Sequence, residues 1–266
     1  MSKKNEALQK AGTLGALIKI PDYIQQDSNI GKENIEQEDV ILPRVRLCQS
    51  MSPERKKSNP DFIAGLEEGQ FFQKTPPTIY GENLLVLPLK RYKTRIYFRG
   101  MTEGGGIICQ APDGLHGTVY GECAKCEHQK WQGQGVAPKC TEIYNYICIL
   151  PDYENDLTIL SLKSSSIKTA RTWNLLLLRS KGPIFANLYA VNSVEEKNAK
   201  GNYFSYRIKF AVRDPDPKEL GSYPTAELYA QAEKLYADLA TKTVVAEPDD
   251  AEVSQAPEGS DDNVPF

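Results

Sequence analysis

Residues 83–99 read NLLVLPLKRYKTRIYFR, and the reading of this stretch decides the fold. Its first half is almost wholly apolar and its second half mixes cations with rings, the pattern of one long β-strand. Pro88 stands inside it. Proline has no N–H to donate to a ladder, so the strand must break or bulge there. Beyond Pro88 the two-residue period puts Arg91, Lys93, Arg95, Tyr97 and Arg99 on one face. From Lys90 to Arg99 there are five basic residues, three aromatic ones and no acid, Tyr92 and Tyr97 among the rings.

Strand signals return downstream in IYNYICIL (143–150) and DLTILSLK (156–163). SSSIKTARTWNLLLLRS (164–180) has helical spacing, a Ser cap at its start and Gly182-Pro183 just past its end. Two more strands follow, IFANLYAV (184–191) and NYFSYRIKFAVR (202–213), separated by a turn around Asn198 and Gly201. The order is strand, insertion, strand, strand, helix, strand, strand. That is the order of a five-stranded OB-fold, whose helix lies between the third and fourth strands. The expected class is therefore mainly β (α+β), with an OB-like barrel over residues 41–221. VILPRVRLC, from Val40, is a strand-like entry to this core, followed by a basic loop, SPERKKSNP. Residues 222–243 form a C-terminal helix, running from about Pro224 to Thr241, with Leu228, Leu235 and Leu239 at helical spacing.

The flanks differ in character. Residues 1–40 are polar, contain a short apolar repeat at helical spacing (Leu14, Leu17 and Ile18), and read as a partly flexible arm that could link neighbouring subunits. Residues 244–266 hold seven acids (Glu247, Asp249, Asp250, Glu252, Glu258, Asp261, Asp262) and no base, and read as a disordered tail. Subtracting those seven from 35 acids leaves 28 against 32 Lys and Arg, so the body carries about +4 although the net charge is −3. No apolar run is long enough for a membrane span, and the N-terminus lacks the apolar stretch of a signal peptide. The expected location is intracellular, in the cytoplasm.

Residues 100–142 hold nine of the 19 glycines and four of the six cysteines. A loop of this length needs something to hold it. In a reducing cytoplasm clustered cysteines are more often metal ligands than disulfides. The spacing is Cys109-x13-Cys123-x2-Cys126-x13-Cys140. The inner pair can reach one ion from a single turn, and the outer two close a tetrahedron. Four thiolates suit a structural Zn²⁺ with no open position. His128 could replace one cysteine; an iron–sulfur cluster or unmetallated thiols are the other readings. Cys48 and Cys148 stand in apolar runs and read as small buried hydrophobes.

Cations beside rings on a strand suit single-stranded DNA, because cations meet phosphates and rings stack on bases regardless of sequence. The bland alternative is a solvated edge strand kept soluble by its charges. The last strand repeats the pattern: Phe204, Tyr206, Ile208, Phe210 and Val212 make an apolar face, and Tyr203, Arg207, Lys209 and Arg213 face the other way. Tyr144 and Tyr146 share a face of the second strand and suit either stacking or core packing. Helix residues Lys168 and Arg171, with Arg179, add cations without an acid, while Ile167, Ala170, Trp173 and Leu177 pack on the barrel.

The chain ends SDDNVPF. This resembles the end of bacterial single-stranded DNA-binding proteins, an acidic linker followed by Asp-Asp-(Asp)-Ile-Pro-Phe. Asp261, Asp262, Val264, Pro265 and Phe266 match that motif, and Asn263 departs from it by one charge. The resemblance implies a tail whose terminal Phe enters an apolar, basic-rimmed pocket on a helicase, primase, polymerase or nuclease. A second resemblance, over residues 43–210, rests on LPRVRLCQSMSPE, on CQAPDG…GECAKCEHQKW…C and on SLKSSSIKTARTWN. These look like a group of tailed-phage single-stranded DNA-binding proteins, which are OB-folds serving replication and recombination. That resemblance implies Cys109, Cys123, Cys126 and Cys140 as metal-binding cysteines and identifies no DNA-contacting residue.

Three rival readings stand beside this one. A nuclease or primase needs clustered carboxylates or a poised base, yet both histidines lie in the insertion and PDYEND and RDPDPKE look like turns, so no enzyme is expected. A zinc-ribbon transcription regulator would read duplex DNA from the major groove. A strand-annealing recombination mediator would share the binding surface and differ in oligomer geometry.

Overall fold

The computed structural model describes residues 41–100, 105–131, 137–198, 201–211, 223–241 and 245–246. The chain is mainly β, with a curled sheet and two α-helices among the described residues. It enters through β1 (Ile41–Leu42) and β2 (Arg44–Leu47), split at Pro43, and continues into β3 (Phe71–Gln73) and β4 (Thr78–Gly81). Next comes the long β5 (Asn83–Phe98), then the insertion with β6 (Ile107–Ala111), β7 (His116–Gly117) and β8 (Gly121–Glu122). β9 (Cys140–Leu150), β10 (Asp156–Lys163), α1 (Ile167–Arg179), β11 (Tyr189–Asn198), β12 (Gly201–Phe210), α2 (Ala226–Thr241) and β13 (Val245–Ala246) complete the chain.

The main sheet runs β12-β11-β5-β9-β10-β2-β3-β4, with β6 also on β5. β5 is its spine. One edge pairs with β9; the other is shared by β11, along Asn83 to Val86, and β6, along Arg95 to Phe98. These pairs are antiparallel, and β2 joins β10 in parallel.

The expected interruption at Pro88 is a bulge: the register against β9 slips between Pro88 and Lys90. An extra residue in one strand reverses which side odd and even positions face. Before the bulge, Leu84 and Val86 join the core around Trp173, and Leu87 joins the core on the opposite side. After it, Arg91, Lys93, Arg95 and Tyr97 stand opposite Tyr146, Tyr144, Glu142 and Cys140 of β9. Tyr146 belongs to the Trp173 core, so the cations continue that same face along the strand.

The core on that face is closed by α1. Trp173 is fully buried and stacks on Tyr146 at 4.0 Å, with Tyr189 edge-on at 5.7 Å. The Tyr146 hydroxyl reaches the Ala170 carbonyl (3.1 Å) and Asn174 Oδ1 (2.8 Å), satisfying the polar tip of a buried ring. On the opposite face, Leu87, Leu89, Ile147, Ile149 and Ile159 pack with Leu228, Ala232 and Leu239 of α2, as the leucine spacing predicts. Cys48 and Cys148 are fully buried small hydrophobes, and burial pushes both thiols up.

Gln49, just beyond β2, links the sheet to β12. Its carboxamide donates to the Phe204 carbonyl and accepts from the Phe204 N–H, both at 2.9 Å, imitating one rung of a ladder. Gly69 lets the chain pass here: at φ +78° it is in the left-handed region, and a Cβ would lie 2.6 Å from the Phe204 ring.

Several expectations need correction. The strand read from residue 184 begins at Tyr189, because Phe185 lies in a 3-10 turn (Ile184–Ala186) and packs against Tyr229 and Tyr236 of α2. Ser166 makes no side-chain cap; a 3-10 turn over Ser164–Ser166 leads into the helix, and the Ile167 N–H bonds the Ser164 carbonyl. The insertion contains strand and 3-10 structure rather than only loop. Val245 and Ala246, expected in the disordered tail, pair in parallel with Ile41 and Leu42. The arm (1–40), Arg213, and the tail residues Asp261, Asp262, Val264, Pro265 and Phe266 lie outside the described residues.

Candidate functional site

Three elements bring charge to one place. β5 supplies Arg91, Lys93 and Arg95, β9 supplies Tyr144 and Glu142, and α1 supplies Arg171. The Arg91 guanidinium lies over the Tyr144 ring, 4.8 Å from its centroid, and the Lys93 ammonium lies 5.6 Å away. Both are cation–π distances. Glu142 Oε1 is 2.9 Å from Lys93 Nζ and 2.9 Å from Arg95 Nη2, and Oε2 is 3.8 Å from Arg171 Nη2. Burial alone would raise the Glu142 carboxyl. The Lys93 hydrogen bond and the charges of Arg95, Lys93 and Arg171 outweigh it and hold the group below the usual carboxylate range.

The cationic surface is therefore not free of acid, although the run from Lys90 to Arg99 contains none. Glu142 sits in a different strand and enters only through cross-strand register. The same alternation that grouped Tyr144 with Tyr146 reaches Glu142 one step earlier, and that signal could have found it.

The remaining candidates divide. Tyr146 and Tyr144 are both buried and join the Trp173 core, and Tyr144 also lies beneath the Arg91 and Lys93 cations. Lys90 and Tyr92 are on the opposite face: Lys90 Nζ donates to the Leu239 carbonyl at 2.6 Å, and Tyr92 packs with the α2 core. A cation at the last turn of a helix meets its unpaired carbonyls favourably. Arg99 and Lys168 are exposed. On β12 the apolar face is as expected: Phe204, Tyr206, Ile208 and Phe210 line the Trp173 core. Arg207 and Lys209 are consequently exposed on the face opposite Arg91 and Lys93, and the Tyr203 hydroxyl donates to Glu196 at 2.7 Å. The two cationic strands do not share one surface.

The row ends at the cysteines. Tyr97 pairs with Cys109 of β6 on one side and with Cys140 of β9 on the other, so adjacent strands hold the outer cysteines around it. Cys123 opens a short 3-10 turn (Cys123–Lys125), and Cys126 is the extended residue between it and a second turn (Glu127–Gln129). All four line one small cavity, together with Arg95, Tyr97, Gly117, Tyr120 and His128. As placed, no three His, Cys, Asp or Glu residues among those described are gathered closely enough to hold an ion.

Four thiols are the donor set that a thiophilic cation takes. Burial would raise the Cys109 thiol, but hydrogen bonds from the Tyr120, Val119 and Thr118 backbone and the Thr118 hydroxyl outweigh it and lower it. A Cβ at Gly117 would sit 2.7 Å from Cys109 Sγ, so glycine leaves that sulfur room. Burial raises Cys123 and Cys140, the latter to about 11, while the positive charge of Arg95 acts in the opposite direction. His128 lies 4.7 Å from the ring centroids of both Tyr97 and Tyr120.

A mainly β protein emerges, whose curled sheet carries a cationic row ending at a cysteine-lined cavity. Over residues 9–245 it matches the Pam3 phage gp34-like protein family, and the chain belongs to that family. No curated protein and no solved structure matches it. No helix among the described residues is long and apolar enough to cross a membrane.

Proposed function

We propose that this protein binds single-stranded DNA with little sequence preference, coating it during phage replication or recombination. The observation that carries the reading is the row Arg91, Lys93 and Arg95, with Arg171 beside it, running into Tyr97 on one face. Phosphates would meet the cations. A π-face accepts any base, so rings bind without reading sequence.

The strand order supports an OB-like unit: β5, β9 and β10 form a meander, α1 follows, and β11 and β12 return to the other edge of β5. The cysteine insertion joins the first two strands of that unit, a connection that OB-folds use to grip oligonucleotides. Cys109, Cys123, Cys126 and Cys140 would hold a structural Zn²⁺. The ion would fix the insertion against Tyr97 and supply folding free energy rather than reactivity. The tail, ending at Phe266, would carry replication proteins to the coated strand.

Nuclease protection tests the reading. The protein should shield a long dT strand from a single-strand nuclease while leaving a duplex open to a double-strand nuclease. Protection of the duplex alone would overturn it.

A further inference from the structure

We propose that the cysteine insertion is itself part of the binding surface, with Tyr120 and His128 joining Tyr97 to form a stacking platform for unpaired nucleobases. The inference rests on the single-strand reading above and assigns the insertion a contact role beyond that of a scaffold.

Three rings converge at the end of the cationic row. Tyr97 and Tyr120 lie 6.3 Å apart with planes 30° from parallel, and His128 tilts against both at 4.7 Å. Tyr97 is two residues beyond Arg95 on β5, one strand repeat of about 6.6 Å along the same face. Tyr120 is 45% exposed, although it packs against two rings. Trp131, three residues past His128, is 70% exposed, and Leu115 and Val119 are exposed too. The other tryptophan, Trp173, is fully buried in the core.

Tyr97, Tyr120 and His128 line one cavity with Arg95, and the cationic row continues from Arg95 through Lys93 and Arg91, with Arg171 beside it. That juxtaposition selects an occupant that is polyanionic along its length and flat and apolar at its side groups. A single strand of nucleic acid has that chemistry. A duplex keeps its bases stacked inside, and an acidic peptide has no row of planar side groups. Phosphates then lie along the cations, while bases leave the stack onto Tyr120 and His128. Tyr97, Tyr120 and His128 also line the cysteine cavity, so whatever orders the cavity orders the platform.

The test uses the full chain and two fluorescein-labelled oligonucleotides of equal length, dT and an abasic backbone, read by anisotropy. Wild type should bind dT about tenfold more tightly than the abasic strand. Tyr120→Ala should lose most of that gap and leave abasic affinity and its salt dependence unchanged. Tyr120→Phe should behave as wild type. If wild type binds dT and Tyr120→Ala keeps the gap, the platform is refuted while the single-strand reading stands. Equal losses on both oligonucleotides would make Tyr120 merely structural and also refute it. If wild type binds neither strand, the single-strand reading itself fails.

Discussion

Glu142 is a carboxylate held among three cations, and Glu142→Gln separates its effect on folding from its effect on binding. Its side chain is only 14% exposed and touches Lys93 and Arg95 at 2.9 Å. Gln keeps the shape and an acceptor oxygen but removes the charge, leaving Arg95, also 14% exposed, without its anion. Breaking a buried pair costs several kcal/mol and breaking an exposed one almost nothing, so this half-buried cluster should lose about 1–2 kcal/mol. The melting temperature should fall by a few degrees.

Binding should move the other way. Freeing one cation adds about one phosphate contact, which steepens the salt slope on a single strand by about 0.7 and tightens binding about fivefold near 0.1 M salt. Anisotropy titrations at four salt concentrations read the slope, and calorimetry reads the melting temperature. A variant that melts lower while keeping the wild-type affinity and slope would refute the placement of the strand along β5.

Other outcomes follow from single contacts. Tyr146→Phe removes the hydroxyl that reaches Ala170 and Asn174, and should destabilise the fold by about 1–2 kcal/mol in denaturant titration with no change in strand affinity. Gly117→Ala drives a Cβ onto Cys109 Sγ, so zinc content by elemental analysis should fall from about one per chain in wild type to near zero. Gln49→Ala opens the contact to β12, and hydrogen exchange at the Phe204 amide should speed up. Removing Asp261 to Phe266 should abolish capture of replication proteins while leaving strand affinity equal or higher.

Much of the fold is written in local pattern. The run 156–163 coincides with β10, and alternation beyond Pro88 grouped Arg91, Lys93, Arg95 and Tyr97 as the sheet does. What escaped is non-local or too short to show a period. β2, β3 and β4 have only three or four residues each, and their place beside β10 depends on pairing across the chain. The bulge puts Lys90 and Tyr92 against α2, although composition had counted them with the cationic row. Glu142 reaches the cations through register. Cysteine spacing suggested one site, but only the pairing of Tyr97 with both Cys109 and Cys140 explains how residues 31 positions apart flank the same cavity.

Anisotropy of labelled dT, mixed-sequence single strand and matching duplex, titrated with the purified full chain at low and moderate salt, tests whether the protein coats single strands. Single-strand coating gives tight binding to both single strands, weak binding to the duplex, and a steep loss of affinity with salt. Equal or tighter binding to the duplex would contradict it.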